Sequence, residues 1–241
     1  VMATSTTGDP SRRKFTINKK YLPYLLSLPA LLTCIGILIP FFTAVAYSLQ
    51  RYRLSQPWAQ KYNWGENYIN FMTDPSFWNT LKVSMTYAFV TVGVELLLGL
   101  GIALLLQKRT RFNNFVSIML LMPLMTAPAL ASLMWKLMTN PGFGVLSYFA
   151  ETIGIEDMRW ASDPSTAMLT VVIVDVWVYT PFIMILLLAG LRSLPRQPFE
   201  AAELDAVPRL FVFWRITLPM LTPFLLTATL FRVIESIQQF D

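Results

Sequence analysis

Hydrophobic residues fall along this chain in long blocks, and the charged positions gather between them. From Tyr21 to Gln50 no charged residue occurs. A bilayer core takes roughly 20 apolar residues wound as a helix, so this block predicts a first membrane span. It is too long for the core of a signal peptide, and no small-residue cleavage site follows it. A second span is predicted over Val83 to Leu106, interrupted only by Glu95. A third runs from Phe115 to Trp135 with Pro123 and Pro128 inside, and a fourth from Ala167 to Leu191, interrupted only by Asp175. A fifth begins near Thr217 and is charge-free to Phe231, which is short for a crossing unless the helix continues through Arg232 and Glu235 to about Gln239. Each proline of the third span removes a helix hydrogen bond, so a static kink is expected there. The predicted fold class is an all-α membrane protein, a polytopic helical bundle.

Composition supports this reading. Of the 241 residues, 55% are hydrophobic and 14% charged, against roughly 25% charged in soluble domains. The mean hydropathy is +0.52. The lack of histidine argues against an imidazole-ligated metal site. The single cysteine, Cys34, excludes an intrachain disulfide and leaves the redox compartment open. The net charge of +5 reads as topology and not as nucleic-acid binding. Twelve lysines and arginines lie in the N-terminal tail and in the connections 107–114 and 192–216, against six in the opposite loops. The positive-inside rule then puts the N-terminus in the cytoplasm. Val1 to Asp9 is Ser/Thr-rich and is expected to be disordered. Two regions follow: a basic cytoplasmic tail, 1–20, and a membrane domain, 21–241.

Ionisable groups within the hydrocarbon are costly and usually face a protein interior or a wet cavity. On the fourth span Asp175, Tyr179 and Phe182 share one helical face; on the fifth, Arg232, Glu235, Ser236 and Gln239 do. Two such stripes on neighbouring helices either line a translocation path or pair Arg232 with Glu235 or Asp175 for packing. Glu95 reads as a structural residue, hydrogen-bonded to a neighbouring helix.

The connection from Pro195 to Pro219 holds more than a linker needs. Pro198 starts a helix, Glu200 and Glu203 suit its positive end, and Pro208 breaks it before a second short helix with Leu210, Phe213 and Trp214. Such a knob suits docking on a soluble partner or lying on lipid. Its residues Glu200-Ala201-Ala202, Asp205, Phe213, Ile216 and Leu218-Pro219 match in identity and spacing the EAA signature of ABC-importer permeases. Met122 to Ser147, Trp177 to Pro195 and Leu230 to Asp241 are similar to the carbohydrate-type members, those like the maltose F and glycerol-phosphate A subunits.

That resemblance implies a type I ABC-importer permease fold with five spans visible and a sixth expected after the Asp241 motif. It implies a multi-pass protein of a prokaryotic plasma (inner) membrane, forming half of a pore with a second, related permease. Two ATPase subunits would bind ATP and magnesium, leaving this chain without a cofactor, a metal or a catalytic residue. No Gly-x-x-x-x-Gly-Lys-Ser/Thr phosphate loop occurs in the chain. An extracytoplasmic solute-binding protein would deliver a sugar-like solute. Glu200, Ala201, Ala202, Asp205 and Ala206, within a coupling loop at about 195–217, would dock on the ATPase; the two polar stripes would contact the solute. Ala206 stands where the family has glycine, which predicts strain if the turn needs positive φ, or a turn set by Pro208 instead. The alternative, a secondary transporter or channel, would use the intramembrane charges for ion coupling.

Overall fold

The computed structural model describes residues 22–51, 55, 61–155 and 158–238. The basic tail and Gln239, the last residue of the predicted stripe, lie outside this set. The described chain is helical apart from one short antiparallel pairing, Gln50–Arg51 with Lys61–Tyr62. It divides after Trp78 into two compact units.

The first unit holds helix α1 (Leu22–Ser48), the strand pair and helix α2 (Glu66–Thr73). α1 is apolar on every face and buries none of its residues, as expected of a helix solvated by lipid or by another chain. Side chains fasten its end to α2: the Asn67 amide donates to the carbonyls of Ser48 and Gln50 at 2.8 and 3.1 Å, and Arg51 pairs with Glu66 at 2.6 Å.

The second unit is built on three long helices: α3 (Pro75–Leu105, which begins just before the division), α7 (Pro164–Ser193) and α10 (Leu218–Gln238). Asp163 caps α7, accepting from the Ser165 N–H at 2.8 Å and its hydroxyl at 2.7 Å. These bonds hold the Asp163 carboxyl below its usual range. Glycines set the helix spacing. A Cβ on Gly99 of α3 would stand 2.7 Å from the Ile183 side chain of α7, and one on Gly190 of α7 would stand 2.6 Å from the Phe224 ring of α10. Small residues let membrane helices approach this closely. Ala103, Ile183, Met184, Leu187 and Leu221 fill the core there.

Four helical stretches are long and apolar enough to cross a membrane: Leu22–Ser48, Pro75–Leu105, Pro164–Ser193 and Arg209–Gln238. These correspond to the first, second, fourth and fifth predicted spans. The third departs from expectation. Instead of one kinked helix, Phe115 to Trp135 is broken into α4 (Arg111–Leu120), a 3-10 turn (Pro123–Met125) and α5 (Pro128–Met138). Each proline opens a new helical segment, since its missing N–H is harmless only in a first turn. The fifth span starts earlier than expected. Helix α9 (Arg209–Val212) runs into α10 through a π-turn, Phe213–Thr217, in which the Leu218 N–H reaches back to the Phe213 carbonyl. The wide turn lies just ahead of Pro219, which has no N–H to give to the ladder. The helix then passes through Arg232 and Glu235, as the length argument requires.

Candidate functional site

Arg232 of α10 is fully buried and bridges three helices. Its Nε donates to Glu95 Oε2 at 2.7 Å and its Nη2 to Glu95 Oε1 at 2.8 Å, a two-pronged bond to α3. Nη2 also reaches Asp175 Oδ2 of α7 at 2.9 Å, and Nη1 reaches Glu235 Oε2 at 3.1 Å. Asp175 accepts a further hydrogen bond from Tyr87. The guanidinium face lies 4.0 Å from the centre of the Tyr179 ring. Only a planar fork with five donors serves so many partners at once; an ammonium does not. The side chains of Arg232 and Glu95 are 0% exposed and that of Asp175 is 1% exposed, whereas that of Glu235 is 50% exposed. The cluster therefore has a buried part that ties helices together and one carboxylate turned outward.

Glu235 turns into a cavity of about 300 Å³ that Tyr179, Phe182, Leu124, Phe231, Ile234 and Gln238 also line. Phe182 and Phe231 meet edge to face across it, ring centres 6.5 Å apart. Of the predicted stripes, Tyr179, Phe182 and Glu235 reach this cavity. Asp175 and Ser236 are buried elsewhere, the latter hydrogen-bonded to Val233 of its own helix. The lining face of α10 runs through Phe231, Ile234, Glu235 and Gln238, about one residue round from the predicted stripe. The α10 stripe thus straddles two faces, an inward one with Arg232 and Ser236 and a cavity one that shares only Glu235 with it. The missed positions are mostly apolar, so polarity could not flag them; their i, i+3, i+4, i+7 spacing is the one available signal.

At the other end of the bundle, α8 (Gln197–Leu204) is a separate short helix with Pro198 and Glu200 in its first turn. Glu200, Ala201, Asp205 and Ala206 are exposed and Ala202 is buried. Its end is closed by two reversed bonds, Ala206 N–H to Glu203 at 3.1 Å and Val207 N–H to Ala202 at 2.9 Å. Helix α6 (Val145–Thr152) ends in the same way, with Gly154 at φ 87°. In α8 the left-handed position is taken by Ala206, at φ 50°, so the strain foreseen for this position is present. Pro208 acts separately, as the cap of α9. A left-handed alanine costs about 1 kcal/mol. Ala206→Gly is therefore expected to stabilise the purified protein by about that amount, read as a rise in thermal midpoint in detergent. An unchanged or lowered midpoint would contradict the strain.

Arg192, which sequence reasoning counted only as a topological charge, clamps the helix ends beside this loop. Its guanidinium donates to the carbonyls of Leu106 at 2.9 Å and Gln107 at 3.4 Å, and to Asn114 Oδ1 at 3.4 Å. This joins α7 to the end of α3 and the start of α4, satisfying carbonyls that a helix end leaves open.

Residues 95–241, which include the ion cluster, the cavity and α8, match the family described as the binding-protein-dependent transport system inner membrane component. This chain belongs to that family. It is 31% identical over 229 residues to the trehalose/maltose transport system permease protein MalF of Thermococcus litoralis, covering 95% of this chain and 77% of that one. It is 34% identical over 211 residues to the sn-glycerol-3-phosphate transport system permease protein UgpA of Shigella dysenteriae, covering 85% and 69%. It is 28% identical to the sulfoquinovosyl glycerol transport system permease protein SmoG of Agrobacterium fabrum, covering 96% and 80%. Its fold is that of a chain in the crystal structure of a bacterial ABC transporter involved in the import of the acidic polysaccharide alginate, with a TM-score of 0.74 at 17% identity over 92% of this chain and 76% of that one. The chain is thus a multi-pass transmembrane permease subunit of a binding-protein-dependent importer. Among the described residues no group of side chains is placed to hold a metal ion.

Proposed function

We propose that this permease carries a sugar or sugar-like solute, with Tyr179, Phe182 and Glu235 in contact with it. In this reading the chain forms half of a pore with a second permease. Its N-terminus lies in the cytoplasm, and α8 docks on one of two ATPase subunits that bind ATP and magnesium. A binding protein would deliver solute from the opposite side. The observation that carries the reading is the cavity beside Glu235: aromatic walls with a few polar groups are the usual make-up of a small-molecule site. The relatives named for the transport of trehalose/maltose, sulfoquinovosyl glycerol and glycerol-3-phosphate support a sugar or polyol derivative. The exposure of Glu200, Ala201 and Asp205 supports docking through α8.

The test separates transport from hydrolysis. In proteoliposomes holding the whole assembly, Phe182→Ala and Glu235→Gln are each expected to cut solute uptake at least tenfold, roughly 1.4 kcal/mol, while ATP hydrolysis continues. Full uptake by both variants would remove this cavity from the solute path.

A further inference from the structure

A second cavity, of about 470 Å³, opens between α5 and the N-terminal half of α7, within the size range of ligand pockets, roughly 300–1,000 Å³. It lies at the end of α7 away from α8: from Thr170 to Ser193 an α-helix rises about 35 Å. Its lining differs from that of the Glu235 cavity. Lys136 and Arg159 are exposed at it. Among the described residues neither forms an ion pair within 4 Å; Arg159 feels Asp163 only through its field. The Trp135 indole N–H is shut off from solvent and finds no acceptor among them. Asp175, the carboxylate of the wall, is held by Arg232. The cavity therefore offers positive charge at its mouth.

One wall is also fixed in a strained form. Trp160 has φ 43°, a left-handed conformation that a large residue holds only when its surroundings impose it. Two contacts and the cap of the following helix do so here. Its indole N–H donates to the buried Ser147 hydroxyl at 3.0 Å, its carbonyl accepts from the Thr166 hydroxyl, and Asp163 caps the helix that follows. The result is a rigid aromatic wall beside two exposed cations. Tyr179 lines both this cavity and the one at Glu235, so the two adjoin.

We infer that the Lys136–Arg159–Trp160 cavity is a second binding site, for an anionic oxygen group (carboxylate, sulfate or phosphate) carried on a hydroxylated molecule. Arg159 and Lys136 hold the anion, and Trp160 covers the uncharged part. The inference deepens the solute reading above: the site would receive the solute before it passes Tyr179. The same chemistry occurs in an anionic lipid headgroup, and the test distinguishes the two sources.

The assembled transporter, in phosphatidylcholine nanodiscs, is titrated with sodium glucuronate and with glucose while tryptophan emission is followed. Glucuronate is expected to give a saturable change, with glucose at least tenfold weaker. The double variant Lys136→Gln/Arg159→Gln is expected to weaken glucuronate at least tenfold. Both positions are exposed, so folding is spared. A parallel arm uses nanodiscs containing phosphatidylglycerol. Co-purification of that lipid with the wild type and not with the double variant, while glucuronate stays silent, supports the same anion site with a headgroup as occupant. Equal behaviour of wild type and double variant towards both probes overturns the inference. Because binding is read without turnover, that result leaves ATP-driven uptake, and with it the importer reading, to stand or fall separately.

Discussion

Arg232→Ala is expected to destabilise the folded protein by about 3–5 kcal/mol, the cost of removing one partner from a buried ion pair. The size follows from what is left behind. Glu95 and Asp175 are almost wholly shielded from water, and without the guanidinium they become unpaired acids inside a helical bundle. The expected observation is a collapse in the yield of folded, assembled protein after detergent extraction. A companion variant separates stranded charge from lost contact. Arg232→Met combined with Glu95→Gln and Asp175→Asn removes the charges together and is expected to recover much of the yield, because apolar or neutral replacement of a whole buried cluster is often tolerated. Arg232→Lys is expected to recover little, since one ammonium cannot span three carboxylates on three helices. Normal yield for Arg232→Ala would show that the cluster does not hold α3, α7 and α10 together.

The second large effect concerns α8. Glu200→Arg is expected to lower ATP-driven uptake at least a hundredfold while the permease still inserts and folds. Glu200 is exposed in the first helical turn, so its reversal disturbs no core packing and costs the chain's own stability about 1 kcal/mol through the helix dipole. It places a positive charge at the positive end of α8 and on the face proposed to meet the ATPase. Assembly is measured separately, by co-purification of the ATPase subunits. Uptake at the wild-type rate would remove α8 from the coupling path.

Much of this was legible from the residue pattern, for a physical reason. Lipid demands about twenty apolar residues per crossing, so the blocks holding α1, α3, α7 and α10 announce themselves. The short helix after Pro198 was also legible, because a proline and first-turn acids mark a start. The strain at Ala206 could be foreseen because a single residue decides it. The third span was less legible. Pro123 and Pro128 are visible, but whether a proline bends a helix or ends it depends on what receives the freed carbonyls. The ion cluster was legible only in part. Arg232 could be paired with Glu235 or Asp175, and Glu95 with some neighbouring helix. Its bond to Arg232 crosses 137 residues, a relation no single-helix periodicity contains. For the same reason the α10 stripe mixed an inward face with a cavity face: polarity is common to residues that lock helices and residues that line a path.

One measurement tests the central claim most directly. The permease is reconstituted with its second permease and the ATPase subunits in proteoliposomes, the binding protein is added on the proper side, and uptake of radiolabelled solute is followed. Uptake that requires both ATP and the binding protein, and that no ion gradient replaces, is the predicted result. Uptake by this chain alone, driven by a proton or sodium gradient and indifferent to ATP, would contradict it.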